Sequence, residues 1–203
     1  MTVGRKGWAG TPPQHDDDAR KRIIDAALTC IERRGPGQTT LSDVADAVGI
    51  TRRTVYRYFA TTEDLFSAAA EVALGSFVAR IEAVTTDIDD AAAQLVELVA
   101  FIIERLPDEP LLTFLLDNDR TNQFSRRMLA PEVIVRCRTM LRHSRIDWTE
   151  LGYHRDSELD GLVEFLLRII QSMVIAPVEP ARDGAALRQF LHRWVGPALS
   201  AGR

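Results

Sequence analysis

The sequence predicts an all-α fold, and three observations support that prediction. Apolar residues recur at spacings of three and four along most of the 203-residue chain, which is the pattern of amphipathic helices. Two short helical segments near the N-terminus are separated by a glycine turn, as in a helix-turn-helix. No segment shows a convincing strand pattern. We therefore expect an N-terminal three-helix head and a C-terminal helical lobe, with about nine helices in all.

Helix one is predicted from Arg20 to Arg34. Three aspartates, residues 16–18, precede it, and negative charge favours the N-terminal end of a helix. The sequence Gly35-Pro36-Gly37 ends the helix. Cys30 belongs to the apolar stripe, so we interpret it as a small core residue. That stripe consists of Ile23, Ala26, Ala27, Cys30 and Ile31.

The next two helices form the predicted helix-turn-helix. Thr40 and Asp43 are three residues apart before an apolar segment, which is the arrangement of a capping box. Gly49 ends this helix, because glycine adopts the left-handed conformation required there. Thr51 is a second N-cap candidate, and another helix is predicted over residues 52–59.

The second helix of this motif has an unusual surface. Val55 and Phe59 are four residues apart and share the face that packs on the preceding helix. No acid lies between Thr51 and Phe59, although the whole chain has a net charge of −4. The remaining residues are basic, aromatic or hydroxyl-bearing: Arg52, Arg53, Thr54, Tyr56, Arg57 and Tyr58.

DNA is the partner that this surface predicts, because arginines bind phosphates or guanine edges and hydroxyls bind phosphates. The alternative is a solvated charged helix with two aromatic residues half-buried in a core, and Tyr56 could be such a packing residue. We expect the base-edge or groove contacts to come from Arg52, Arg53, Thr54 and Tyr56. The phosphate contacts are expected from Thr40, Arg57 and Tyr58.

The segment GITRRTVYRYFATTEDLF, with TTLSDVADAVG before it, resembles the DNA-binding signature of TetR-family transcriptional regulators. The resemblance covers residues 19–70. It implies an all-helical fold, DNA as partner, a homodimer and a ligand-binding C-terminal lobe. The family's recurring positions correspond here to Thr40, Ala45, Gly49, Tyr56 and Phe59.

Three positions depart from the family pattern. Thr62 stands where the family often has a phosphate-binding lysine, which removes one cation from the DNA-facing surface. Arg53 stands where a small residue is common, and it adds a potential contact. Pro36 and Gly37 replace a usual aromatic residue. The operator sequence therefore does not follow by analogy.

The chain downstream of this head predicts several further helices. Helix four is expected to begin at Thr61 or Thr62 and to end near Ile81 or Val84. Residues 111–116 form an apolar segment, and residues 146–154 are expected to form a loop. Further helices are predicted over residues 91–105, 124–143, 155–176 and 184–199, where Pro131 indicates a late start or a kink in the second.

The last two helices carry more apolar surface than a monomer needs, which favours burial against a second copy. The resemblance implies a four-helix dimer interface at this place, and simple core packing is the alternative. Two heads on a two-fold dimer would bind a palindromic operator. The predicted interface residues are Leu162, Phe165, Leu166, Ile169, Phe190, Leu191 and Trp194.

The middle of the chain is rich in large apolar residues, which can line a ligand pocket. The same composition is typical of an ordinary helical core, and the resemblance favours the pocket. We expect an apolar or amphipathic small-molecule effector. The candidate ligand-binding residues are Phe101, Leu115, Asn118, Phe124, Met128, Met140, Trp148, Arg168 and Gln171.

The predicted organisation is a flexible tail over residues 1–17, a helix-turn-helix DNA-binding domain over 18–66, and a ligand-binding and dimerisation domain over 67–203. Within the tail, contact of Arg5, Lys6 and Trp8 with a DNA minor groove is an alternative to simple flexibility. We expect a transcriptional regulator, by family default a repressor, that leaves its operator when the effector binds. A constitutive DNA-binding dimer without an effector is the alternative.

An enzyme is the weakest alternative, because the chain has no glycine-rich phosphate loop, no G-x-S-x-G and no H-E-x-x-H motif. Its two cysteines and four histidines lack metal-site spacing, so no metal or cofactor is expected. The sequence also has no apolar stretch long enough to span a bilayer. A cytoplasmic location is the expectation from these features.

Overall fold

The computed structural model describes residues 8–118 and 128–199, and these residues form nine α-helices and no strand. The all-α prediction is therefore confirmed. Four short 3-10 turns accompany the helices, at Trp8–Gly10, Pro36–Gln38, Leu106–Asp108 and Gly196–Leu199. The α-helices are α1 (Asp16–Arg34), α2 (Leu41–Val48), α3 (Arg52–Tyr58), α4 (Thr62–Thr85), α5 (Ala91–Arg105), α6 (Pro110–Asn118), α7 (Pro131–Arg142), α8 (Asp156–Ile175) and α9 (Gly184–Val195).

Two helices begin elsewhere than predicted. Helix α1 starts at Asp16, so all three aspartates lie in its first turn, where their charge stabilises the helix N-terminus. Helix α7 starts at Pro131, because proline fits the first helical position and has no N–H to leave unpaired. The earlier part of the segment predicted from Phe124 lies largely outside the described residues.

The chain divides into two compact units. The first, the head, contains residues 1–76 together with 110–115, and the second contains residues 77–109 and 116–203. This division falls within α4, later than the boundary predicted after residue 66. It also assigns the first part of α6 to the head.

Local capping signals fix the ends of α2. The Thr40 hydroxyl accepts a hydrogen bond from the Asp43 amide, and the Asp43 carboxylate accepts one from the Thr40 amide. This is the predicted capping box. Gly49 follows the helix with φ 76° and ψ 33°, the left-handed conformation that favours glycine.

The head has its own apolar core, formed where α1, α2, α3 and α4 pack together. Cys30 is half-buried beside it, as interpreted from the sequence, and burial raises the pKa of its thiol. The buried members are Ile23, Ala27, Ile31, Leu41, Val44, Ala45, Val55, Phe59, Leu65, Phe66, Ala69 and Leu111.

One member of the head core comes from a distant part of the sequence. Leu111, in α6, is 3% exposed and packs with residues of α1–α4. Phe114, one turn later, packs against the same core, and its ring carbon Cε2 lies 3.7 Å from where a Cβ would stand on Gly37. The sequence showed that this segment is apolar but gave no indication that it completes the head.

Polar contacts organise the second unit. The Gln94 side-chain amide donates to the carbonyl oxygens of Thr85 (3.2 Å) and Ile88 (3.4 Å), which fixes the turn between α4 and α5. Arg188 of α9 binds Glu97 and Glu104 of α5 at 2.6 and 2.8 Å. Hydrogen bonds from Arg188, together with the Gly184 N–H, hold the pKa of Glu104 below its usual value.

None of the described helices is both long and apolar enough to cross a membrane.

Leu111→Ala tests whether α6 is part of the head core. Removing a fully buried leucine side chain leaves a cavity, so we expect the free energy of unfolding to fall by about 2–5 kcal/mol. Urea unfolding followed by circular dichroism measures the change. Val72→Ala, at a side chain that is 42% exposed on α4, is the control and should change stability by less than about 0.5 kcal/mol. Equal effects of the two substitutions would contradict this account of the core.

Candidate nucleic-acid interface

The orientation of α3 follows from two buried side chains and one cap. Val55 is 0% and Phe59 2% exposed, and both lie in the head core. The Thr51 hydroxyl accepts a hydrogen bond from the Thr54 amide at 3.2 Å, which satisfies an N–H group of the first turn. Because the helix has only seven residues, this anchoring directs the rest of its side chains outward.

The outward residues of α3 are those predicted to contact DNA. Arg52, Arg53 and Arg57 are exposed, and Thr54 and Tyr58 are half-buried. Tyr56 is 53% exposed, so the structure does not support the alternative that it packs in the core. The structure thus gathers six of the seven predicted DNA-contacting side chains on one short helix. Their contacts with DNA stay predictions.

The charge of this surface is suited to a polyanion. Among the described residues, neither Arg52 nor Arg53 forms an ion pair, so both guanidinium groups are available for phosphates or guanine edges. No acid occurs between residues 51 and 59. Because the whole chain has a net charge of −4, electrostatic attraction for DNA must come from a local basic surface such as this one.

Arg57 and Tyr58 are held together at the end of α3. The Arg57 guanidinium lies over the Tyr58 ring, 4.7 Å from its centroid, and donates a hydrogen bond to the Tyr58 hydroxyl. That hydroxyl in turn donates to an Asp16 carboxylate oxygen at 3.0 Å. The phenolic proton of Tyr58 is therefore already used within the protein.

Thr40, the seventh predicted DNA contact, is exposed, but its donors are occupied. Both its hydroxyl (2.6 Å) and its amide (2.9 Å) donate to the Asp43 carboxylate. These bonds, together with Arg34, lower the pKa of Asp43. The structure gives Thr40 a capping role, and its phosphate contact stays a prediction.

The sequence did not reveal three residues that support the end of α3. Arg20 donates to the Tyr58 carbonyl oxygen at 2.7 Å, and its guanidinium carbon lies 4.4 Å from the Phe59 ring centroid. Asp16 was interpreted only as favourable negative charge at a helix N-terminus. Trp8 was assigned to a flexible tail, but its ring meets Tyr58 edge-on with centroids 6.4 Å apart. No local sequence signal marks these contacts, because they join segments about 40 to 50 residues apart.

Two of the predicted ligand-binding residues are corrected by the structure. Trp148 is 2% exposed, and its indole N–H donates to the Leu141 carbonyl oxygen at 2.8 Å, so it is a core residue. Arg168 is exposed and paired with Glu164 on the same helix at 2.7 Å, so it faces solvent instead of a pocket.

The other candidate ligand residues are not collected around one described cavity. Phe101 is half-buried and packs on Phe77, with ring centroids 5.8 Å apart. Met128, Met140 and Gln171 are also half-buried. Phe124 lies outside the described residues, as do the side chains of Leu115 and Asn118.

Two open grooves of the second unit lie elsewhere. One, of about 890 Å³, runs along α5 and α9 and is lined in part by Phe190 and Trp194. The other, of about 570 Å³, combines Arg145 with acidic residues of the α4–α5 and α7–α8 connections. No group of three or more potential metal ligands occurs among the residues described.

The predicted dimer residues separate into two sets. Three of them are at most 6% exposed within a single chain: Leu162, Leu166 and Leu191. Their side chains have no accessible area left for a partner, so the prediction that they form the dimer interface is corrected. Phe165 is 40% and Trp194 60% exposed. Ile169 and Phe190 are half-buried. The apolar stripe is thus divided between the core and the surface.

Comparison with known proteins places this geometry in a family. Residues 23–69 match the model of the bacterial regulatory proteins of the tetR family. An uncharacterized HTH-type transcriptional regulator of Mycobacterium tuberculosis is 24% identical over 186 residues, which cover 91% of this chain and 89% of the relative.

Solved structures share the fold over nearly the whole chain. AlkX of Dietzia, a TetR-family repressor, superposes with a TM-score of 0.61 at 24% identity, covering 90% of this chain and 95% of AlkX. RolR in complex with resorcinol superposes with a TM-score of 0.58 at 20% identity, covering 91% of this chain and 87% of RolR.

A helix-turn-helix head with an exposed, acid-free basic helix, followed by a helical second unit, defines a DNA-binding transcriptional regulator. The match of the head to the tetR family model and the similarity to HTH-type regulators support a TetR-family transcriptional regulator. The family resemblance expected from residues 19–70 is confirmed.

Arg52→Ala tests base contact by α3. If Arg52 binds a guanine edge, its loss should weaken operator binding by about 1–3 kcal/mol, or roughly 5- to 150-fold, and random-DNA binding much less. Fluorescence anisotropy on both DNAs measures the two affinities. Arg136→Ala, at an exposed arginine of the second unit, is the control and should change neither. An equal loss on both DNAs would assign Arg52 to a phosphate instead.

Proposed function

We propose that the protein is a repressor whose α3 occupies the major groove of its operator. Arg52, Arg53, Thr54 and Tyr56 would contact base edges. Arg57 and Tyr58 at the end of α3, and Thr40 before α2, would lie along the phosphates. The observation that carries this proposal is the pair of exposed arginines without ion pairs, on a helix anchored by Val55 and Phe59. We propose the cytoplasm as the compartment, because the bacterial chromosome is there.

Repression and its relief by an effector are supported by two relatives. AlkX is a repressor implicated in the biodegradation of n-alkanes, and RolR was crystallised with the small aromatic ligand resorcinol. We propose that this chain also binds an apolar or amphipathic small molecule through its second unit. The candidate residues that the structure leaves for this role include Phe101, Met128, Met140 and Gln171.

The path of the chain supports coupling between effector and DNA. Helices α4 and α6 each begin in the head and continue into the second unit, and Leu111 of α6 is part of the head core. A ligand that displaces α6 would therefore disturb the packing beneath α2 and α3. Coupling free energies of about 1–3 kcal/mol change affinity roughly 5- to 150-fold, which suffices for relief of repression.

We also propose that the active form is a homodimer. Phe165 and Trp194 are large apolar side chains left exposed on α8 and α9, and exposed apolar surface of this kind favours burial against a second copy. Two heads related by a two-fold axis would then contact the half-sites of a palindromic operator, about one helical turn apart.

The repressor proposal predicts sequence-dependent binding that an effector weakens. Fluorescence anisotropy on DNA from upstream of the protein's own gene, with scrambled DNA as control, should show tight binding to the former only. Log affinity should fall steeply with log salt, because phosphate contacts release counterions. The titration is then repeated in the presence of n-alkanes and small phenols. A compound that acts as the effector should lower the operator affinity roughly 5- to 150-fold.

Two results of that titration would be unfavourable in different ways. Binding no tighter to upstream DNA than to scrambled DNA would contradict an operator at that place, and a genome-wide binding selection would then locate it. Operator binding that no small molecule changes would favour the constitutive DNA-binding dimer.

The dimer proposal predicts that charge at the exposed apolar residues prevents association. Phe165→Asp with Trp194→Asp should convert a dimer to a monomer in sedimentation velocity, because carboxylates are costly to bury in an apolar interface. Val135→Asp, at a residue of α7 that is 46% exposed, is the control and should remain dimeric. A monomeric unmodified protein, or a variant that stays dimeric, would contradict the proposed interface.

A further inference from the structure

The N-terminal end of α1 forms a connected cluster with the C-terminal end of α3. We define the α1–α3 clasp as Asp16, Arg57, Tyr58 and Trp8. Within it, Asp16 accepts the hydroxyl proton of Tyr58 at 3.0 Å, and that hydroxyl accepts a hydrogen bond from Arg57. The Trp8 ring packs edge-on against the Tyr58 ring, with centroids 6.4 Å apart.

The clasp changes which residue is able to donate to a phosphate. A tyrosine hydroxyl has one proton to donate, and Tyr58 gives it to Asp16. Arg57 has five N–H donors, and its bond to Tyr58 uses only part of them. Arg57 is exposed, whereas Tyr58 is half-buried. The phosphate donor at this end of α3 is therefore Arg57, with Tyr58 as its support.

We propose that Asp16 is a positioning residue of the DNA-binding surface, which acts through the Tyr58 hydroxyl to hold the Arg57 guanidinium ready for a phosphate. The proposal rests on the proposed function, since it assumes that Arg57 meets DNA. An arginine side chain has much conformational freedom to lose on binding. The cation–π contact and hydrogen bond with Tyr58 restrict that freedom before DNA arrives, so less affinity is lost to ordering.

The segment before α1 supports the same arrangement. Trp8 has φ 64°, a left-handed conformation that is rare for a residue other than glycine and is maintained only where surrounding contacts fix it. Arg22 donates to the Thr11 carbonyl oxygen at 2.6 Å, which ties residues 8–11 to α1. These contacts keep the Trp8 ring against the Tyr58 ring.

Asp17 provides a matched control for Asp16. It is the next residue, lies in the same first turn of α1 and is exposed. It makes no hydrogen bond or ion pair with any described residue. Asp16→Ala and Asp17→Ala therefore remove the same charge from the same helix end, and only the first removes the acceptor of the Tyr58 proton.

The test measures affinity for operator and scrambled DNA, and its salt dependence, by fluorescence anisotropy. We expect Asp16→Ala to weaken binding about two- to tenfold relative to Asp17→Ala, on both DNAs, because a phosphate contact is independent of sequence. Asp16→Asn keeps an acceptor for Tyr58 and should restore the affinity to at least that of Asp17→Ala. Equal affinities of Asp16→Ala and Asp17→Ala would overturn the proposal.

A double-mutant cycle with Arg57 separates positioning from a general structural effect. In an Arg57→Ala background, Asp16→Ala should cause no further loss relative to Asp17→Ala, because the side chain that Asp16 positions is gone. The same loss in both backgrounds would mean that Asp16 acts through the fold alone. Circular dichroism and thermal unfolding of each variant identify any loss of folded protein.

The Arg57→Ala variant also distinguishes failure of this inference from failure of the proposed function. If Arg57 binds a phosphate, this substitution should lower the salt slope by about one. An unchanged salt slope and affinity would overturn the phosphate role of Arg57 and, with it, the positioning role of Asp16. A lowered slope combined with equal Asp16→Ala and Asp17→Ala affinities would overturn only the positioning role.

Discussion

The burial of Val55 and Phe59 is the constraint on which the DNA-binding surface depends. A helix of seven residues is too short to be stable in water by itself, because helix nucleation is unfavourable and only a few hydrogen bonds follow it. Tertiary packing must therefore hold α3 in place. Two side chains four residues apart fix both its position and its rotation about its axis. The identity of the outward residues is then free to vary with the DNA sequence.

The head obtains its remaining support from segments that are distant in sequence. Arg20 bonds the backbone at the end of α3, and Leu111 closes the apolar core from α6. Charge is also distributed unevenly over the head. Acidic residues lie at the start of α1, whereas the outer surface of α3 has none. An acidic chain can thus bind a polyanion through one small region and repel it elsewhere.

Local signals made most of the fold predictable, and the missing parts are those set by contacts distant in sequence. Caps at Thr40 and Thr51, the glycine at 49 and the apolar spacing located α2 and α3 correctly. The outward face of α3 followed from the same spacing. Helical periodicity shows which side of a helix is apolar but not how much of that side a single chain already covers. Leu162, Leu166 and Leu191 were therefore assigned to a partner although they are core residues. Trp8 was misassigned because its contact with Tyr58 joins segments distant in sequence, and Trp148 because composition does not distinguish a pocket lining from a core.

The participation of α6 in the head core limits how freely the two halves of such a protein can be recombined. A hybrid regulator made by joining residues 1–76 to the second half of another protein would contain every residue of the DNA-binding surface. It would nonetheless lack the side chain that fills the place of Leu111, unless the donor's corresponding helix supplied one of similar shape. Compatibility at the positions of Leu111 and Phe114 would then help to determine which pairings between heads and sensing halves yield a folded hybrid, whatever linker is chosen.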